Sequence, residues 1–121
     1  MKAKKLVPIL YTENLQATVD FYVSMLGFQS TATDATGTWA CLQLDAVEIM
    51  ISTPNAHTPF TKSCFTGSFY FRVEDVNDFW ERLKDKSTVC YPLESFEYGM
   101  REFAIYDNNN YLLQFGQEIE E

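Results

Sequence analysis

The residue types that most often carry chemistry are sparse and scattered in this sequence. The only histidine, His57, lies in a loop between two prolines, and we interpret it as a solvent-exposed loop residue. The three cysteines, Cys41, Cys64 and Cys90, are far apart and form no CxxC pair, so they indicate neither a zinc site nor a redox dithiol. We expect buried, reduced thiols in a cytoplasmic protein that needs no cofactor.

Aromatic rings and acidic charge are the more informative signals. Aromatic residues make up 16% of the 121 residues, and 17 acidic residues against 9 basic ones give a net charge of −8. Such a chain repels nucleic acid and anionic membranes but attracts cations, and the flat faces of Trp and Tyr bind cations and planar rings. No apolar stretch approaches the ~20 residues that span a bilayer. The candidate rings are Trp39, Phe60, Tyr70, Tyr91 and Tyr98. Core packing or a dimer contact is the alternative for each.

The pattern of elements that would position these residues occurs twice. Apolar residues at helical spacing follow the cap Asn14, and a second helical pattern follows the cap Asp75, at a constant offset of 61 residues. The first helical face is Leu15, Val19, Tyr22, Val23 and Leu26, and the second is Val76, Phe79, Trp80 and Leu83. Strand-like runs cover 6–11, 28–33, 38–44, 47–52, 68–73, 88–91, 101–106 and 111–115.

This repeat predicts an α+β fold of two tandem βαβββ modules, with eight strands and two main helices. Module one would span 1–55, a linker 56–66 and module two 67–121, together making a single domain. In each module the helix would cover one face of a four-stranded sheet. The other faces would curl around a cavity.

Two adjacent charged residues lie on the predicted strand 101–106. Arg101 and Glu102 must point to opposite faces, so at most one of them faces the cavity. We favour a solvated charge on a strand edge. The alternative is contact with a ligand or with a partner subunit.

Several segments in this order resemble the vicinal-oxygen-chelate superfamily, which includes glyoxalase I, extradiol dioxygenases and bleomycin-resistance proteins. These segments are VPILYTENL (7–15) leading to MLGF (25–28), FRVEDV (71–76), YGMREFAIYD (98–107) and YLLQF (111–115). The REFA stretch before an Asp-led turn, and the Val-Pro start of the first strand, look most like the bleomycin-resistance branch. The resemblance covers nearly the whole chain.

The resemblance also bears on metal binding, because metal-dependent members place His, Glu or Gln at matching strand positions. The matching positions here are Val7, Ser68, Gln114 and either Met50 or Glu48, which share strand parity. Our alignment prefers Met50, and a slip of two residues would give Glu48. Valine cannot ligate a metal, serine is a poor ligand and glutamine is neutral, so at best Glu48, Gln114 and Ser68 would form a weak oxygen site.

We therefore expect a metal-free, non-enzymatic protein like those of the bleomycin-resistance branch, which sequester a cationic antibiotic in grooves between two subunits. This resemblance implies a homodimer and antibiotic resistance, with a bleomycin-like ligand or another cationic or aromatic molecule. The predicted ligand-binding residues are Trp39, Glu48, Met50, Phe60, Ser68, Tyr70, Tyr98 and Gln114. One alternative is a divalent-metal-dependent lyase, isomerase or dioxygenase with a divergent site. Another is a partner-binding module with a vestigial pocket.

Overall fold

The computed structural model describes residues 1–55 and 60–120 and confirms the α+β architecture of two βαβββ repeats. The chain divides into two compact units, Met1–Lys62 and Ser63–Glu121. The first contains β1 (Ile9–Tyr11), α1 (Leu15–Asp20), β2 (Gln29–Thr33), β3 (Trp39–Leu44) and β4 (Val47–Ser52). The second contains β5 (Phe69–Arg72), α2 (Val76–Leu83), β6 (Thr88–Ser95), β7 (Met100–Tyr106) and β8 (Leu112–Glu118). His57 lies outside the described residues.

The two sheets have the same topology. Their strand orders are β1-β4-β3-β2 and β5-β8-β7-β6. The first strand of each unit runs parallel to the last, and the other neighbours are antiparallel. The registers also correspond, because Ile9 lies opposite Met50 in the first unit and Tyr70 lies opposite Gln114 in the second. Ile9 and Tyr70 are related by the same offset of 61 as the two helix caps.

Both helices begin where the cap residues predict. The Asn14 side chain accepts a hydrogen bond from the Ala17 backbone N–H at 3.0 Å, and Asp75 accepts one from the Asp78 N–H at 3.2 Å. Each cap satisfies a backbone donor that would otherwise lack a partner within its helix. The helices therefore start at Leu15 and Val76, as the pattern indicates.

The core of each unit lies between its helix and one face of its sheet. In the first unit the buried strand residues Leu42 and Ile51 share this core with Tyr22 and Leu26. In the second unit three phenylalanines stack across adjacent strands, with Phe115 5.0 Å from Phe71 and 5.1 Å from Phe103 between ring centroids. Trp80 of α2 packs on the same cluster. Strand alternation then directs the intervening side chains to the opposite face of each sheet.

Local departures from the predicted elements have physical causes. Residues Phe21–Met25 form a wider π-helical turn after α1, which rotates the following side chains. Val23 is therefore 38% exposed, although its spacing placed it on the buried face. Strand β6 extends to Ser95 and β8 to Glu118, beyond their predicted ends, whereas β1 begins only at Ile9.

The prediction of buried cysteines is only partly correct. Cys41 is buried on the central strand β3, but Cys64 and Cys90 are exposed. Cys64 lies in an irregular segment and Cys90 on the edge strand β6, where the sheet has no further neighbour to cover it. Within residues 1–55 and 60–120, no helix is long and apolar enough to cross a lipid bilayer.

Candidate functional site

A polar cluster occupies the face of the second sheet that points away from α2. Because Phe71, Phe103 and Phe115 pack toward the helix, their neighbours along the strands point the other way. The residues brought together by β5, β6, β7 and β8 are Ser68, Tyr70, Tyr91, Glu102 and Gln114. We call these five residues the tyrosine–glutamate cluster.

Glu102 is the acceptor at the centre of this cluster and is only 2% exposed. The Tyr70 hydroxyl donates to its Oε1 at 2.9 Å, and the Tyr91 hydroxyl donates to its Oε2. Gln114 Nε2 donates to the Tyr91 hydroxyl at 2.8 Å, and Ser68 Oγ donates to Gln114 Oε1. One hydrogen-bonded chain thus crosses all the strands of the sheet.

The carboxylate of Glu102 is held by neutral donors rather than by a cation. In the parts of the chain that the structure describes, the salt bridges are Lys5–Glu48, Arg72–Glu118 and Lys84–Glu81, and none includes Glu102. A buried carboxylate without a cation depends on hydrogen bonds for its stability. Among the described residues, no basic side chain therefore forms an ion pair with Glu102.

The tyrosines of the cluster hold their protons strongly. Burial, and then the hydrogen bond to Glu102, raise the pKa of Tyr70 to about 12. The same two causes raise the pKa of Tyr91. Desolvation, and then interaction with Glu102, also raise the pKa of the nearby Tyr98. These phenols are hydrogen-bond donors at neutral pH and do not supply a base.

Irregular pairing in β6 positions Tyr91 for this role. The β6–β7 register shifts on both sides of Tyr91, so that Tyr91 lies opposite Ala104 and Glu94 opposite Glu102. Bulges of this kind redirect a side chain relative to simple alternation. Beyond them, Phe96 packs edge-on to Tyr91 at 5.8 Å and stacks on Tyr98 at 5.4 Å, which extends the cluster with aromatic rings.

The corresponding face of the first unit is chemically different. Glu48 accepts hydrogen bonds from the Lys5 ammonium group and, at 3.2 Å, from the Cys41 thiol. The hydrogen bond from Lys5, followed by that from Cys41, lowers the pKa of Glu48. Met50 lies opposite both Cys41 and Ile9. The negative charge of Glu48 is thus paired with a lysine, which weakens its attraction for a ligand.

The predicted site residues belong to both units of the chain. Ser68, Tyr70 and Gln114 belong to the tyrosine–glutamate cluster, and Tyr98 lies beside it. Glu48 and Met50 lie on the first sheet, and Trp39 is half-buried at the start of β3. Phe60 is half-buried outside the regular elements.

Sequence reasoning missed the centre of the cluster. The favoured interpretation of Glu102 as a solvated edge charge is wrong, because β7 is an inner strand and Glu102 is buried beneath tyrosines from β5 and β6. The available signal was strand alternation, which puts Phe103 and Ile105 on one face and Glu102 on the other. Alternation does not indicate whether the face that carries Glu102 is buried. Phe96 carried no comparable signal.

The residues at the positions of the superfamily's metal ligands do not fit a divalent cation. The matching registers make Met50 the counterpart of Gln114, as our alignment prefers, and Val7 the counterpart of Ser68. Ser68 and Gln114 are hydrogen-bonded to each other, and the side chain of Val7 has no atom that can ligate a metal. In residues 1–55 and 60–120, no group of three or more His, Cys, Asp and Glu residues is placed to hold a metal ion. This donor set lacks the imidazoles and carboxylates that such ions prefer.

The two βαβββ units define the class of fold to which this chain belongs, and comparison with known proteins agrees. The family model described as "Glyoxalase/Bleomycin resistance protein/Dioxygenase superfamily" matches residues 5–115, and the chain belongs to this superfamily. No protein with a curated description matches the sequence significantly.

Solved structures show the same fold at low sequence identity. A protein of unknown function from Agrobacterium tumefaciens str. C58 has a TM-score of 0.80 at 17% identity, covering 98% of this chain and 97% of the other. TioX from Micromonospora sp. ML1 gives 0.75 at 22% identity, covering 97% and 100%. Lactoylglutathione lyase from Agrobacterium tumefaciens gives 0.72 at 16% identity, covering 96% and 94%. At these identities the likeness establishes the fold alone.

Proposed function

We propose that this protein binds a cationic or aromatic small molecule without a metal ion, in the manner of the bleomycin-resistance branch of its superfamily. The observation that supports this proposal best is the buried carboxylate of Glu102, which accepts hydrogen bonds from the half-buried Tyr91 and the exposed Tyr70. Binding alone lowers the free concentration of a toxic ligand, so no reaction is required. The net charge of −8 favours a cationic ligand over an anionic one.

The chemistry of the cluster favours holding a ligand over transforming it. Its hydroxyl groups donate to one another and to Glu102, and the raised pKa values of Tyr70 and Tyr91 oppose their use as nucleophiles or bases. The metal-ligand positions do not supply the donors of a glyoxalase-type enzyme. Rigid aromatic rings combined with one buried charge are instead typical of recognition sites.

We further propose that the binding form is a homodimer. In the branch that the sequence resembles, ligand grooves lie between two subunits, and exposed rings such as Tyr98 would then contribute to one side of a groove. Analytical ultracentrifugation with and without ligand measures the mass directly. A strictly monomeric protein at ligand-saturating concentration contradicts this part of the proposal.

Titration with metal-free bleomycin tests the function. We expect a saturable change in intrinsic fluorescence and an increase in the melting temperature, because a ligand that binds only the folded state stabilises it. The variant Tyr98→Leu should weaken both effects, since its exposed ring can be removed without disturbing the core. Glu97→Gln, an exposed neighbour, is the control. Unchanged signals at high micromolar drug would contradict a bleomycin-like ligand.

Elemental analysis of protein purified without chelator tests the absence of a metal requirement. We expect no stoichiometric zinc, nickel, manganese or iron. A stoichiometric metal that is lost on chelation together with ligand binding would favour the enzyme alternative. A thermal-shift screen in which no cationic or aromatic compound stabilises the protein would favour a partner-binding module.

A further inference from the structure

We infer that the tyrosine–glutamate cluster and Tyr98 recognise a fully alkylated ammonium group, which lies on the tyrosine ring faces while Glu102 acts through the tyrosine hydroxyls. The inference rests on the proposed function and specifies the chemical class of the ligand's charged group. It follows from three observations about the cluster.

The first observation is that both oxygens of Glu102 already accept hydrogen bonds. Oε1 accepts from Tyr70 at 2.9 Å and Oε2 accepts from Tyr91, and the carboxylate is 2% exposed. A guanidinium or primary ammonium group carries several N–H donors and needs acceptors when it leaves water. Because Glu102 is 2% exposed, an N–H donor that lies on the tyrosine rings cannot reach the remaining lone pairs of the carboxylate unless a tyrosine moves. A quaternary ammonium group has no N–H donor and makes no such demand.

The second observation is that the rings remain accessible although their hydroxyls are engaged. Tyr70 is 40% exposed and Tyr98 is 65% exposed. Phe96 stacks on Tyr98 with an interplanar angle of 10°, which supports one ring face and directs a ligand to the other. Accessible tyrosine ring faces near a carboxylate are the kind of aromatic surface that binds alkylated ammonium ions.

The third observation is that Tyr70 and Tyr91 donate hydrogen bonds to Glu102, which increases the electron density of their rings. A phenol that donates to a carboxylate becomes more electron-rich, because hydrogen bonds polarise their partners in a poorly solvated environment. A richer ring attracts a cation more strongly. Arg72, the basic residue beside Tyr70, is paired with Glu118 at 2.9 Å, so its charge is offset by that carboxylate.

Three soluble probes that share a two-carbon alcohol skeleton test the inference by NMR titration of the whole protein. Choline carries a trimethylammonium group, 3,3-dimethyl-1-butanol is its neutral carbon isostere, and ethanolamine carries a primary ammonium group. We expect choline to bind on the order of tenfold more tightly than either of the others. The same tyrosine ring resonances should shift in the choline titration.

Two variants and one control assign the effect to these residues. Glu102→Gln should reduce choline affinity on the order of tenfold and leave the neutral isostere unaffected. Glu81→Gln removes the same charge from an exposed residue of α2, which covers the other face of the sheet, and should change choline affinity less than twofold. If Glu102→Gln does not fold, Tyr98→Leu tests the site by removing an exposed aromatic ring instead of the charge. This variant should also reduce choline affinity.

The outcomes separate this inference from the proposed function. Equal binding of choline and its neutral isostere, tighter binding of ethanolamine, or no binding of any probe overturns the inference. In each of these cases, saturable bleomycin binding would leave the proposed function standing. Choline selectivity that is lost in Glu102→Gln or Tyr98→Leu, and kept in Glu81→Gln, supports the inference.

Discussion

Tyr70 occupies the space that a side chain at Gly116 would fill. A Cβ atom on residue 116 would overlap the Tyr70 hydroxyl oxygen and stand 2.6 Å from its Cζ atom. Gly116 lies opposite Glu102 in the sheet, so the tyrosine ring crosses over the glycine to reach the carboxylate. Because Gly116 has no side chain, Tyr70 of β5 can reach across β8 and hydrogen-bond to Glu102 of β7.

Replacing this glycine should disrupt the cluster. We expect Gly116→Ala to displace Tyr70 and to lower the free energy of unfolding by about 1–3 kcal/mol, because Glu102 loses a donor while it stays buried. Urea denaturation measures the change. In a double-mutant cycle with Tyr70→Ala, the alanine at 116 should cost much less, since the overlapping ring is absent. Equal costs in both backgrounds would show that the two residues are not coupled.

The protonated tyrosines predict a loss of stability in alkali. In the unfolded chain tyrosine ionises near pH 10, whereas the folded pKa of Tyr70 is about 12. Because the folded state keeps protons that the unfolded state has lost, the free energy of unfolding should fall as the pH rises from about 10 towards 12. Denaturation at several pH values measures this slope. Tyr70→Phe should make it shallower, and an identical slope would contradict the assignment.

Because of Asp34, the free energy of unfolding should fall as the pH decreases in acid. Its carboxylate accepts hydrogen bonds from the backbone N–H groups of Thr38 at 2.8 Å and Trp39 at 3.1 Å, and from the hydroxyls of Thr36 and Thr38. The hydroxyl hydrogen bond from Thr38 contributes most to lowering its pKa to about 2. The unfolded group has a pKa near 3.8, so stability from Asp34 should be complete above about pH 4 and lost as the pH falls through about 2.

NMR titration of the Asp34 carboxyl group measures this pKa directly. Asp34→Asn should remove the corresponding part of the acid dependence in urea denaturation. A carboxyl group that titrates near 4 would show that the turn between β2 and β3 does not hold Asp34 as described.

The cysteines predict a clear difference in reactivity. Cys64 and Cys90 are exposed, whereas Cys41 is buried and its pKa is raised, chiefly by desolvation. Since the thiolate is the reactive form, iodoacetamide should label Cys64 and Cys90 in the folded protein and Cys41 only after unfolding. Peptide mass spectrometry identifies the labelled positions. Labelling of Cys41 at the rate of the others would contradict its burial.

Local signals in the sequence predicted much of the fold. Asn14 and Asp75 mark the helix starts because capping depends on a side chain and a backbone N–H two or three residues later. The common offset of 61 identified the repeat from those same positions. The caps act within one turn of a helix and the repeat needs only a comparison of two stretches of sequence, so neither signal requires knowledge of contacts in the folded chain.

The site was less accessible to prediction because it depends on distant pairs. Glu102 is buried by Tyr70 and Tyr91, which are 32 and 11 residues away along the chain. Tyr91 reaches it only because the β6–β7 register shifts, and simple alternation does not indicate where a bulge occurs. The pairing of Glu48 with Lys5 likewise joins residues 43 apart.

Only one copy of the repeated motif carries the hydroxyl-rich chemistry. Where the second copy has Tyr70 opposite Gln114, the first has Ile9 opposite Met50, two hydrophobic side chains. The two repeats thus share one topology but differ in the side chains at these equivalent positions. Each polypeptide chain should accordingly bind one ligand molecule, although its two repeats would suggest two.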